Sequence, residues 1–236
     1  MVATPLRIRA EFTKGDRARY VSHLDLIRTW ERAMRRAGLP VAMSQGFNPH
    51  PKMAPASSLP VGQTSRSEVI EVTLTEPITA DEFARRVNAS MPEGLRVTRA
   101  KEVSDEAASP ASVVSGAIYE ARPVEDSARG GGDAAGPDAD AVNGAIKSFL
   151  GAGEVVVTRK SDKGERRVDL RPLVHELRYE GGVMRMTLAA GREGTARPTD
   201  LLSALGFAPS DWTVERTGLY RADGSDPTKW TAAWDL

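Results

Sequence analysis

Hydrophobic positions recur in two rhythms along the first hundred residues. Between Leu6 and Phe12 apolar and polar side chains alternate, the period of a half-buried strand. From Ser22 the spacing changes to three and four, so that Leu24, Ile27, Trp30, Met34 and Ala37 fall on one stripe of a helix. Ser22 followed by Asp25 predicts its start, because the hydroxyl and carboxylate can satisfy free amide hydrogens of the first turn; Gly38 and Pro40 predict its end. Pro40 to Ser44 reads as a short strand, a loop dense in Pro and Gly follows, and Glu68 to Leu74 alternates again. Thr79 with Glu82 caps a second helix that turns Phe83, Val87 and Met91 inward, and Leu95 to Ala100 adds a further strand.

Strand, helix, strand, strand, helix, strand is the order of a split βαβ, or ferredoxin-like, domain, here residues 1–102. Residues 103–115 shift to Ala, Ser, Asp and Glu with Pro110, the composition of a linker or a loosely packed edge. The second domain, 116–236, repeats the order. Ala117 to Arg122 is a strand and Ala139 to Leu150 a helix. Glu154 to Thr158 opens a hairpin turning at Asp162-Lys163-Gly164, and another hairpin turns at Gly181-Gly182. Pro198 to Leu205 is a helix with proline in its first turn, and Thr213 to Arg221 a closing strand. The predicted fold class is α+β, with two tandem ferredoxin-like domains and one extra hairpin. The Gly- and Asp-rich stretch 127–137 is expected to be a mobile loop inside the second domain.

Charge changes this picture more than composition does. The 236 residues are electrically neutral overall, yet Met1 to Pro60 holds ten basic against four acidic residues, and Glu102 to Glu154 three against ten. The positive end suits a polyanion, and the acidic middle suits a solvated connector. There is no cysteine. That removes disulfides, a thiol nucleophile, thiolate zinc sites and cysteine-ligated iron-sulfur clusters. The chain lacks a run of about 18 apolar residues and opens without a signal-like segment, which points to a cytoplasmic protein with no membrane contact.

Two regions concentrate candidate chemistry. On the first helix, Arg28, Arg32, Arg35 and Arg36 lie off the apolar stripe, where guanidinium forks can take phosphates in bidentate fashion. They equally suit a solvated helix face. In Ser44 to Lys52, Pro49 and Pro51 fix the backbone and hold Gln45, Asn48, His50 and Lys52 on a stiff loop. The alternative is a rigid crossover anchored by a buried Phe47. Phe47 or Tyr20 can stack on an unpaired base. His23 and His50 are the acid-base candidates, and with Tyr20 and Lys52 they would surround a ribose 2′-hydroxyl if the loop folded over the helix start. No metal site is expected, since two histidines without a tightly spaced third ligand do not define one. Phosphate-loop, nucleophile-elbow and zincin motifs are absent.

Several segments together resemble one family. Tyr20-Val21-Ser22-His23-Leu24-Asp25, Arg32 to Pro40, Ser44 to Lys52 and Leu59-Pro60-Val61-Gly62 look like the radical-SAM-linked proteins. Arg166-Arg167-Val168-Asp169-Leu170-Arg171-Pro172 and Arg216-Thr217-Gly218-Leu219-Tyr220 resemble that family's second half, so the likeness covers most of the chain. The stretch from Ser127 to Pro137 departs from it as an insertion. In that family the unit stands alone or is fused behind a radical S-adenosylmethionine enzyme. The resemblance therefore implies an accessory chain with no cofactor of its own, whose partner carries the cluster. The tandem fold is also similar to the RAMP-type proteins that bind, and often cut, RNA. The leading expectation is an RNA-binding or substrate-presenting accessory protein working with a radical SAM enzyme. The alternatives are a metal-independent endoribonuclease and a structural protein-interaction module.

Overall fold

The opening alternation becomes strand β1 (Leu6–Lys14), which turns Ile8, Ala10 and Phe12 into a core and Arg7, Arg9 and Glu11 to the other face. A computed structural model describes residues 6–124, 137–161, 164–191, 194–223 and 226–236 of the chain. Helix α1 (His23–Arg36) starts where the sequence puts it. Ser22 Oγ accepts the Asp25 amide at 3.2 Å and donates to Asp25 Oδ2 at 2.8 Å. The buried stripe is rotated from the expected one: Leu26, Trp30, Ala33 and Met34 point inward, and Leu24 is exposed. Helical side chains lean toward the N-terminus, so Leu24, in the first turn, projects past the packed surface. Trp30 meets Phe12 edge-on, with ring centroids 5.1 Å apart.

The strand expected at Pro40 to Ser44 is displaced. Val41 and Met43 form isolated bridges to Leu74 and Pro51, and the strand that pairs is β2 (Met53–Pro55), beyond the Pro-rich loop. Ser44 instead bonds back to His50, its amide reaching the His50 carbonyl at 2.7 Å, so this stretch closes on itself rather than extending the sheet. Strand β3 (Thr64–Leu74), helix α2 (Ala80–Asn88) and strand β4 (Leu95–Val103) follow. Thr79 Oγ1 caps α2 by accepting the Glu82 amide. The strands pair as β4-β1-β3-β2, each neighbour antiparallel.

Residues 104–115 include helix α3 (Pro110–Val113) and are tied down. Arg7 donates to the carbonyls of Ser104, Asp105 and Ala107, and Arg9 to that of Ala108, while Glu71 holds both guanidinium groups. The second half runs through β5 (Gly116–Pro123), α4 (Ala139–Gly151), the hairpin β6 (Val156–Ser161) and β7 (Gly164–Asp169), and β8 (Val174–Glu180). It continues with β9 (Val183–Gly191), the short β10 (Gly194–Thr195), α5 (Pro198–Ala204), β11 (Trp212–Asp223) and β12 (Asp226–Ala232). Here the pairing is β11-β5-β9-β8, again antiparallel throughout. The stretch expected to be a mobile loop lies outside the described residues apart from Pro137, as do Asp162 and Lys163 of the hairpin turn.

The result is a mixed α/β fold, richer in strand than helix, built on a large mixed sheet. There are two apolar clusters, one in the first half around Phe12, Trp30 and Phe83, the other around Phe149, Met186 and Trp212 of the second half, which also takes in Ala56 and Val69 of the first. One parallel contact joins the halves, Glu215 and Arg216 of β11 standing opposite Thr64 and Ser65 of β3. The outer edge of β3 is thus shared, β11 at its N-terminal end and β2 at Ile70 to Val72. Among the described residues, no helix is long and apolar enough to cross a membrane.

Candidate functional site

The shared edge of β3 leaves a hollow between the two halves. It is a cavity of about 1040 Å³, with Ser57 to Val61 and His23 on one wall. Tyr119 and Arg216 lie at its base, and Arg159, Arg166, Arg167 and Arg197 come from the second half. Five arginines and one carboxylate, Asp169, are among the residues that line it.

Each wall is fixed by an identifiable device. Asp169 Oδ1 accepts the amides of Val155 at 2.9 Å and Arg171 at 3.0 Å, which closes the open end of the β6–β7 hairpin. Val157 and Val168 stand opposite each other in that hairpin and pack on the core, so Arg159 and Arg166, the next pair on that face, are carried toward the hollow. Arg159 is consumed structurally: it donates to Asp200 Oδ2 at 2.7 Å and to the Thr195 carbonyl at 2.8 Å. Arg166, Arg167 and Arg197 are exposed and make no ion pair or side-chain hydrogen bond with any described residue. On the opposite wall, the Gly62 amide bonds the Arg19 carbonyl at 3.0 Å and ties the Ser57 to Val61 loop to the start of α1. Gly62 has φ +84°, a conformation that other residues adopt only with strain.

Arg216 fastens the two walls. It is fully buried, forks onto both carboxylate oxygens of Glu68 and donates to the Ser58 carbonyl at 3.1 Å. Burial pulls its pKa down, and the Glu68 charge outweighs that and holds it above the ordinary arginine value. Burial raises the Tyr119 phenol, an effect that the neighbouring Arg216 moderates. Lys14, also buried, donates to the carbonyls of Arg19 at 3.0 Å and Gln63 at 3.2 Å; burial lowers its pKa, with Glu68 opposing. His23 Nδ1 and both side-chain amide atoms of Gln63 are enclosed without a hydrogen-bond partner among the described residues.

The sequence candidates divide between three places. His23 lines the cavity, and Tyr20, three residues before it, is 76% exposed beside the Arg19–Gly62 tie. On α1, Arg28 pairs with Asp25 at 3.3 Å and Arg32 donates to Thr29 Oγ1 at 3.3 Å, while Arg35 and Arg36 are exposed. Arg32 and Arg36 border a smaller hollow of about 490 Å³ next to Ser90, Met91 and Pro92. Gln45, Phe47, Asn48, His50 and Lys52 sit on the Pro-rich loop and none lines the large cavity. The Lys52 carbonyl accepts the Thr73 amide, whereas the cavity base lies opposite Ser65, about 26 Å away along β3 at strand rise. His50 therefore does not join His23, and Phe47, expected as a buried anchor, is fully exposed. Among the described residues, no group of three or more His, Asp or Glu side chains is arranged to hold a metal ion.

The cavity arginines did not stand out in the sequence as a charge cluster. A different signal contained them. The segments Tyr20 to Asp25, Leu59 to Gly62, Arg166 to Pro172 and Arg216 to Tyr220, far apart in the chain, all contribute to this one cavity. No curated protein matches the chain. Among solved structures, the crystal structure of an unknown protein from Galdieria sulphuraria is similar at 12% identity, over 90% of this chain and 99% of that one, with a TM-score of 0.27. Residues 7–198 match the family described as an uncharacterized protein conserved in bacteria, DUF2344. That span takes in the cavity wall except for Thr199 and Arg216. The chain belongs to this family.

Proposed function

We propose that the protein is an RNA-binding accessory subunit of two tandem ferredoxin-like domains, acting beside a separate radical S-adenosylmethionine enzyme. The observation that carries the RNA reading is the wall of three unpaired guanidinium groups, Arg166, Arg167 and Arg197, on a concave surface between the halves. Guanidinium groups left without carboxylate partners in a hollow favour a polyanion, because focused positive potential and bidentate geometry act together there. The tandem reading is supported by the recurrence of one strand order, β4-β1-β3-β2 and then β11-β5-β9-β8. The enzyme partner is supported by sequence resemblance alone.

Anisotropy titration of a labelled oligoribonucleotide with the wild type and with an R166Q/R167Q/R197Q variant tests the RNA reading. The expected result is binding at low salt that falls at least tenfold in the variant. Equal affinity of the two proteins contradicts it.

A second reading, a metal-independent endoribonuclease, is favoured by one observation: His23 stands on the wall facing the arginines. RNA cleavage by the wild type that is lost in His23→Ala would support it. Cleavage that survives the replacement would end it.

A further inference from the structure

We infer that the cleft takes its RNA as a single strand, with phosphates on the second-half wall and bases stacked against the rim formed by Tyr20. The inference rests on the phosphate-binding reading above and adds the form of the ligand.

The two walls differ in kind. Arg166, Arg167 and Arg197 occupy one of them. The other has no arginine or lysine among its lining residues, Ser57 to Val61 and His23, and three large apolar or aromatic side chains are exposed on it or next to it in sequence. Tyr20 is 76% exposed, Leu24 67% and Val61 56%. Two of them flank one backbone tie: the Arg19 carbonyl accepts the Gly62 amide, which sets Tyr20 and Val61 next to it. Leu24 directly follows His23, itself a wall residue. Exposed singly such side chains are ordinary; grouped within two tied segments beside a cationic hollow they offer surface on which a base can stack.

A cleft that is cationic on one side and aromatic on the other discriminates between forms of RNA. A duplex presents phosphates outward and hides the faces of its bases, so the Tyr20 side would gain nothing from it. A single strand can turn its backbone to the arginines and its bases to the ring. The cavity volume of about 1040 Å³ lies at the upper end of the range that encloses small ligands, which suits a nucleotide or two rather than a helix. His23 Nδ1 is enclosed, so Nε2 is the ring nitrogen left to meet an inserted base or ribose.

The test compares a short oligouridylate with its duplex on oligoadenylate, each titrated against the wild type, Tyr20→Ala and Tyr20→Phe. Tyr20 is exposed, so neither replacement disturbs the core. The expected result is a wild type that prefers the single strand. Tyr20→Ala should weaken single-strand binding by about 5- to 150-fold, the loss of one stacked base, and Tyr20→Phe should keep it. Equal binding of both forms, or an unaffected Tyr20→Ala, overturns the inference, while a weakened R166Q/R167Q/R197Q variant in the same titrations would leave the phosphate reading standing. A wild type that binds neither form brings both down.

Discussion

Helix α1 and the cavity wall both carry several arginines within a short stretch of surface, and they differ in what surrounds them. On α1, Arg28 sits beside Asp25 and Arg32 beside Thr29, Arg35 and Arg36 are exposed, and Arg32 and Arg36 border only the smaller hollow of about 490 Å³. In the cavity, Arg159 and Arg216 are spent on Asp200 and Glu68, and that expenditure fixes the walls on which Arg166, Arg167 and Arg197 stay free. Charge density alone does not separate the two regions. Enclosure does: Arg166, Arg167 and Arg197 line the larger hollow between the halves, which arises only once distant strands meet.

The largest effect should come from breaking the fastener between the halves. Glu68→Gln leaves the Arg216 guanidinium buried without its counter-charge, and losses of this kind cost about 3 to 5 kcal/mol. Chemical denaturation should report a drop of that size; a loss under about 1 kcal/mol would mean that the pair does not hold the junction. Next in size is the helix cap. Ser22→Ala removes the acceptor of the Asp25 amide and should cost about 1 kcal/mol by the same measurement, with RNA affinity altered only through any shift of His23.

A smaller, pH-dependent effect belongs to Lys14. Its folded pKa lies below the ordinary value of 10.5 because it is buried, so above the folded pKa the unfolded chain holds more protons than the folded one. Stability should therefore rise with pH across the window just under 10.5. Lys14→Met should flatten that rise; an unchanged slope would place its origin in other groups.

Local features were readable from the sequence because they depend on neighbours. The caps at Ser22 and Thr79 and the hairpin at Gly181-Gly182 fall where hydroxyl, acidic and glycine positions put them. The paired strand Met53–Pro55 was missed because Pro49 and Pro51 make the region look like loop throughout, and Val41 to Ser44 has the pattern of a strand without a free stretch of β3 to pair along. The cavity was legible only in pieces. Arg216 and Ser65 are brought together by a parallel contact of two register pairs across 151 positions of sequence, and no periodicity announces such a pairing. His23 was singled out for its chemistry and does reach the cavity, whereas His50, chosen on the same grounds, sits at the other end of β3.

The most direct test sets the two arginine regions against each other by the salt dependence of RNA binding, using wild type, R166Q/R167Q/R197Q and R28Q/R32Q/R35Q/R36Q. Three phosphate contacts to a single strand at about 0.7 each make a slope change of about 2 in log affinity against log salt. The account predicts that the cavity variant loses that much slope while the helix variant keeps the wild-type slope within about half a unit. A helix variant that loses the slope, beside a cavity variant that keeps it, would contradict the account and put the phosphates on α1.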